Sequence, residues 1–247
     1  MIPFYQKTTL KKTCLLLTGF LLLACQSITG KSADPAIEPS HIVLSFDDGP
    51  NNFGDTTALL LDTLKKREIK AMFALLGENA EKNPELVKRI YDEGHIIINH
   101  GYLDKWASRM SEEEFRVNLA MGEAAISKAL GRDFFPKLYR PHGGFYTSAQ
   151  KKIIREAGYT IVFADIRVYD AVLTGAKKDK MIKEIIEKAE KNNGGIVLLH
   201  DARGSQVHME KELKKNRSGA FDRSWIPSAV EEIIIALKAG GFIIDKP

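Results

Sequence analysis

Cysteine is almost missing from this sequence: Cys14 and Cys25 are the only two in 247 residues. That scarcity excludes a disulfide framework, and a chain of this length can bury enough core without one. A strong excess of one charge is missing too, with Lys and Arg at 36 against Asp and Glu at 32. There is no basic stripe interleaved with aromatics, so nucleic acid is not an expected partner. The Lys-rich stretches at 177–191 and 211–215 read as solvated helix or loop faces. The apolar run from Cys14 to Ala24 falls short of the roughly 20 residues that a permanent spanning helix needs.

What precedes and ends that run has the layout of a bacterial export signal. Lys7, Lys11 and Lys12 stand before it, and Leu22-Leu23-Ala24-Cys25 closes it. A small residue followed by cysteine is the pattern of a lipoprotein signal, in which the new N-terminal cysteine takes up acyl chains. The expectation is therefore a signal peptide over 1–24, a flexible Ser/Gly/Ala/Pro-rich tether over 25–39, and one folded domain over 40–247. Cys25 would carry the lipid and tie the chain to the membrane at the cell envelope. Losing the three signal lysines takes the formal charge from +4 to +1, so the basic balance belongs largely to the signal.

Short apolar, β-rich runs then alternate with longer amphipathic ones. His41–Phe46, Lys70–Leu75, His95–Ile98, Leu138–Arg140, Thr160–Ala164, Gly195–Leu199 and Phe242–Ile244 read as strands. Helices are expected over 55–67, 84–93, 112–130, 148–157, 178–192 and 227–238. Ser111 to Glu114 forms a capping box, Pro84 opens a first turn, and Gly131 and Gly240 act as stops. Repeated β then α units predict an α/β fold with a parallel sheet covered by helices. Potentially catalytic polar residues follow several different strands, which favours the shared rim of a barrel, not necessarily a complete one, over a single cleft.

The sharpest local signal is Asp47-Asp48-Gly49-Pro50, two carboxylates at the mouth of a buried strand. Adjacent anions repel, so a cation is expected nearby: a metal ion on one carboxylate would leave the other free as a base. His100 and Asp104 are four residues apart, and one helical turn would bring them to the same side. With Asp48 they make an O, N, O ligand set with positions left for water and substrate. His95 reads as structural. In Arg140-Pro141-His142-Gly143-Gly144 the guanidinium could orient Asp47, and a glycine lets a backbone N–H approach an oxyanion. His200 ends an apolar strand and suits a general acid, with Asp165, at the preceding strand end, available to orient it. The stretch 202–226 lacks clear periodicity and reads as a long loop, with Trp225 a candidate sugar contact.

These segments, in this order over about Ser40 to Lys246, resemble the motifs of the NodB-homology polysaccharide deacetylases, carbohydrate esterase family 4. The resemblance implies a distorted (β/α)7 barrel with outer helices, one divalent metal ion (zinc before cobalt, manganese or nickel), and hydrolysis of N- or O-acetyl groups on a polysaccharide. It makes Asp47 the base, Asp48 and His100 metal ligands, Arg140 the residue orienting Asp47, and the Gly143 N–H an oxyanion donor. Asp165 would tune His200 as general acid, and Leu198 would border the acetyl-methyl pocket. The sequence departs where the family has its second metal histidine: Asp104 stands there, with His142 as a substitute to weigh. Gly101 replaces the usual Ser or Thr, and His142 and Gly143 replace a proline and an aromatic. An altered ligand set also fits a lipoprotein that binds glycan without turning it over, and a cyclic-amide hydrolase on the same fold is the remaining alternative.

Overall fold

The computed structural model of the chain describes residues 40–216 and 219–247. The expected signal peptide, Cys25 and tether lie outside the described residues. Alternation of short apolar runs with amphipathic segments gives, in chain order, β1 (His41–Asp47), α1 (Thr56–Lys66), β2 (Met72–Leu75), α2 (Gly77–Lys82), α3 (Pro84–Asp92), β3 (Ile96–Asn99) and α4 (Glu112–Leu130). There follow β4 (Leu138–Tyr139), α5 (Ser148–Glu156), β5 (Thr160–Ile161), β6 (Ile166–Arg167), α6 (Lys178–Asn192), β7 (Gly195–His200), α7 (Gln206–Lys215), α8 (Ile226–Ala239) and β8 (Ile243–Ile244). The capping box is present: the Ser111 hydroxyl accepts from the Glu114 N–H, and α4 stops at Gly131 in the left-handed region.

All strand pairs are parallel, in the order β5-β4-β3-β2-β1-β7-β6, with β8 joined to the start of β1. Laid flat, the two edges of that path would stand about 29 Å apart at the usual strand spacing of about 4.8 Å. Yet β5 and β6 are joined by residues 162–165 alone. Even fully extended, the steps from Ile161 to Ile166 reach only about 17 Å. The sheet is therefore curled, edge toward edge, into the incomplete (β/α)7 barrel that the family resemblance implies.

Two-residue periodicity divides β1 between two environments. Ile42, Leu44 and Phe46 are fully buried among the helices, in a cluster with Leu60, Leu64, Ile233 and Leu237. Ser45 and Asp47 alternate with them, and both meet the Arg140 guanidinium. The polar interior face of the barrel thus begins on the first strand. Among the described residues no helix is long and apolar enough to cross a membrane.

Three elements differ from the sequence expectation. The run at 160–164 is a strand only over Thr160–Ile161, and the unexpected β6 follows the crossing of the seam. The short α2 is new. The stretch at 202–226 is not a structureless loop, because α7 lies inside it, capped by Ser205, which accepts from the His208 N–H. Of the α7 side chains only Gln206 and Met209 are buried, too few to leave an apolar stripe in the sequence.

Candidate functional site

In parallel strands every C-terminus points the same way, so residues far apart in sequence meet at one rim. β1 delivers Asp47 and Asp48, β3 leads into His100, β4 into Arg140, and β7 ends on His200. Asp47 is in register with His200 on the neighbouring strand. Its Oδ1 accepts from Arg140 Nη1, while Arg140 also donates to Ser45 Oγ at 2.7 Å and to the Val162 carbonyl at 3.1 Å. Both partners of the Asp47–Arg140 pair are buried. Asp47 is thus fixed in direction, with Oδ2 turned toward His100 Nε2 at 3.7 Å.

Asp48 turns the other way because it sits at φ 71, a left-handed conformation that aspartate tolerates better than most side chains. Its carbonyl accepts from Asn79 Nδ2 at 2.7 Å and its Oδ2 from the Gly204 N–H at 2.9 Å. The remaining oxygen, Oδ1, is buried and has no hydrogen bond, which is costly for a carboxylate unless a positive group faces it. His100 Nε2 and His142 Nδ1 each lie 3.5 Å from it, and 3.2 Å from each other. Burial would raise the Asp48 carboxyl, but these two imidazoles and the His200 charge bring it well below the usual carboxylate range.

That triangle suits a small divalent cation. Ligands about 2.0–2.1 Å from a tetrahedral ion stand about 3.3–3.4 Å apart, close to the observed edges. His100 Nδ1 faces the Arg140 carbonyl at 2.8 Å, so the N–H belongs there and Nε2 keeps its lone pair for a metal. His142 Nε2 lies 2.9 Å from Asp104 Oδ1, which in the same way frees Nδ1. Asp48, His100 and His142 are the group of potential ligand atoms that come together among the described residues. Asp104, expected as a ligand, instead holds His142. The helical turn assumed between His100 and Asp104 does not form, because Gly101 sits at φ 89 and bends the chain out of it. A side chain at Gly101 would also strike Asn118, whose Nδ2 lies 2.4 Å from the site of a Cβ.

His200 Nδ1 lies 2.8 Å from Asp170 Oδ1. The opposite oxygen, Oδ2, accepts from the His200 N–H at 2.8 Å and from Arg223 Nη2 at 2.6 Å. Burial alone would lower the His200 imidazole, but the Asp170 carboxylate pushes it up to about 9. Asp170 is held low in turn, with His200 and Arg223 overcoming the effect of its own burial. Asp47, Asp48, His100, Arg140, His142, Gly143, Leu198 and His200 line one cavity of about 400 Å³, together with Trp106, Phe163 and Tyr169.

A scan against known families matches residues 35–162 to the family described as polysaccharide deacetylase. The chain belongs to that family. Within the polysaccharide deacetylases, it is 33% identical over 168 residues to a peptidoglycan-N-acetylglucosamine deacetylase of Bacillus cereus, covering 68% of this chain and 58% of the relative. A second B. cereus protein of the same description is 30% identical over 201 residues, covering 81% of this chain and 83% of the relative. The chain therefore spans little more than half of the first relative and most of the second. A crystal structure of a peptidoglycan N-acetylglucosamine deacetylase, in complex with 4-naphthalen-1-yl-N-oxidanyl-benzamide, superposes with a TM-score of 0.69 at 30% identity, over 84% of this chain and 86% of that one.

Two further expectations change in this site. Asp165 does not reach His200. It stands just before β6 instead of ending a strand, and with Ile166 opposite Val197 it lies near Ile196, whose N–H donates to its Oδ2 at 2.8 Å. Four residues of strand, about 13 Å, separate that level from His200. Counting the same four residues along from Asp165 leads to the neighbourhood of Asp170, the residue that reading by sequence missed. Trp225 packs at the N-terminus of α8, donating from Nε1 to the Asp222 carbonyl at 2.9 Å and stacking under Arg223. It does not line the cavity, whereas Trp106, Phe163 and Tyr169 do. His95 has the structural role expected: its Nδ1 accepts from the Ala71 N–H and burial lowers it to about 4. Asp201, also missed, is buried under the Asp47-Asp48-Gly49 turn, where burial pushes it up to about 7. Its Oδ2 lies 2.6 Å from where a Gly49 Cβ would stand, so that position must be glycine.

Proposed function

We propose that this chain is a metal-dependent hydrolase that removes N-acetyl or O-acetyl groups from an envelope polysaccharide, and that it is exported and lipid-anchored through Cys25. The observation that carries the reading is the pairing of Asp47, fixed by Arg140 and left with one oxygen free, with a cation-sized triangle of Asp48, His100 and His142 beside it in the same cavity. Family membership and relatives named as peptidoglycan deacetylases support the polysaccharide as substrate. The signal-like N-terminus supports the envelope location.

Asp48 Oδ1, His100 Nε2 and His142 Nδ1 would hold the ion, a nitrogen-rich set that suits zinc, with cobalt, manganese or nickel as substitutes. When bound, a divalent cation supplies Lewis-acid polarisation of the acetyl carbonyl and makes water a better nucleophile. Asp47 accepts a proton from the attacking water through Oδ2, its other oxygen being occupied by Arg140. The Gly143 N–H, carried on a turn at φ 78, donates to the oxyanion that develops on the acetyl oxygen. His200, kept protonated by Asp170, delivers the proton that the departing amine or hydroxyl needs as its bond to the acetyl carbon breaks. Leu198, also lining the cavity, offers the apolar contact for the acetyl methyl.

The test is acetate release from acetylated chito-oligosaccharide and peptidoglycan by purified protein, lost on chelation and restored by zinc or cobalt. Protein that binds one ion per chain yet releases no acetate from either would overturn the reading. Incorporation of labelled palmitate, abolished in Cys25→Ala, tests the anchor separately.

A further inference from the structure

The charges lining the cavity do not balance. Its carboxylates are each already answered: Asp47 by Arg140, Asp48 by the two imidazoles, and Asp170 by His200 and Arg223. Two further arginines line the same space, Arg167 and Arg203. Neither side chain has a hydrogen bond or ion pair among the described residues, although both are half-buried. Arg203 is nonetheless held in place, and Arg167 lies beside the oxyanion turn. Arg203 stacks on the face of Phe221 at 4.2 Å, and its neighbour Gly204 gives its N–H to Asp48. Arg167 Nη1 lies 3.3 Å from where a Gly144 Cβ would stand, one residue from the Gly143 turn.

A half-buried arginine whose guanidinium no carboxylate occupies is a ready fork for an incoming anion. A neutral acetylated glycan entering this cavity would strip water from both cations and return nothing. We propose that the glycan recognised here carries a carboxylate, on the reacting sugar or the one beside it, and that Arg167 and Arg203 bind it. Tyr169, a residue 75% exposed at the cavity wall, sits between Arg167 and Asp170 in sequence and offers a face for the same sugar ring. The inference rests on the deacetylase reading for its placement of the reacting sugar, and it turns a general polysaccharide into an acidic one.

Binding to chelator-treated protein tests it without turnover. The probes are a muramic-acid-containing tetrasaccharide with free lactyl carboxylates, its methyl ester, and neutral chitotetraose, titrated calorimetrically at low salt. The free acid is expected to bind about ten- to a hundredfold more tightly than the ester, the range of a charge-assisted contact. Arg167→Gln and Arg203→Gln should each erase most of that preference, while Arg155→Gln, on the outer helix α5, should not. Equal binding of acid and ester, or full preference in both pocket variants, would overturn the proposal. Acetate release by ion-loaded protein separates the two readings. Release without acid preference removes the carboxylate site and leaves the deacetylase, whereas acid preference without release supports the site and removes the deacetylase.

Discussion

Asp104 Oδ1 and His142 Nε2 stand 2.9 Å apart, with the imidazole's other nitrogen turned to the Asp48 carboxylate. A carboxylate behind a metal histidine fixes its tautomer and ring plane. Asp104→Asn should therefore keep the ion but weaken its binding by about ten- to a hundredfold, and His142→Ala should weaken it much more. Competition with a chromophoric chelator measures both. A larger loss in Asp104→Asn than in His142→Ala would return Asp104 to the ligand set.

Asp47→Asn separates the base from the ligands. Acetate release should fall by about 10²- to 10⁴-fold, the usual contribution of a positioned base, with the ion content unchanged by elemental analysis. An active variant would place the base elsewhere.

The His200–Asp170 pair sets a pH dependence. His200 is raised to about 9, above its unfolded value of about 6.5. Its stabilising contribution is thus complete below about 6.5 and lost as pH rises through about 9. Melting temperatures of chelated protein between pH 6 and 10 should fall across that window. The basic limb of the activity profile should follow the same group, and Asp170→Asn should move it to lower pH. Removing Asp170 also leaves Arg223 buried without its counter-charge, at a cost of about 3–5 kcal/mol, so the variant's denaturation midpoint must be measured alongside.

Gly143→Ala probes the oxyanion turn. A side chain there would adopt φ 78 and meet the Trp106 ring at 2.8 Å. The left-handed backbone alone costs about 1–2 kcal/mol, so denaturant midpoint and turnover should both drop. Adding Trp106→Ala should recover the steric part only, and full recovery would show that the backbone conformation is unimportant.

How far the site could be read from sequence depended on whether each residue's place follows from periodicity. Asp47, Asp48, His100, Arg140 and His200 all directly end or follow strands that an apolar run announces, so their meeting at one rim was legible. Asp170 was not, because its position depends on the register of β6, two residues long and invisible to any pattern. The exchange between Asp104 and His142 was hidden for another reason: helical spacing does not carry across Gly101, whose positive φ forbids the helix. Trp225 misled because exposure cannot be read from an aromatic letter. The fold fared better, since strand alternation and helix caps are local signals, and only α2, β6 and α7, short or sparsely apolar, went unseen.

The curled sheet has one more consequence, for how copies of the chain behave together. Its end strands, β5 and β6, and the off-path β8 are each two residues long, and the link through 162–165 runs between the first two. A neighbouring molecule looking for an unpaired ladder to extend would find almost none among the described residues. For a protein proposed to be concentrated on a membrane surface, where encounters between copies are frequent, that brevity is a guard against strand-by-strand aggregation.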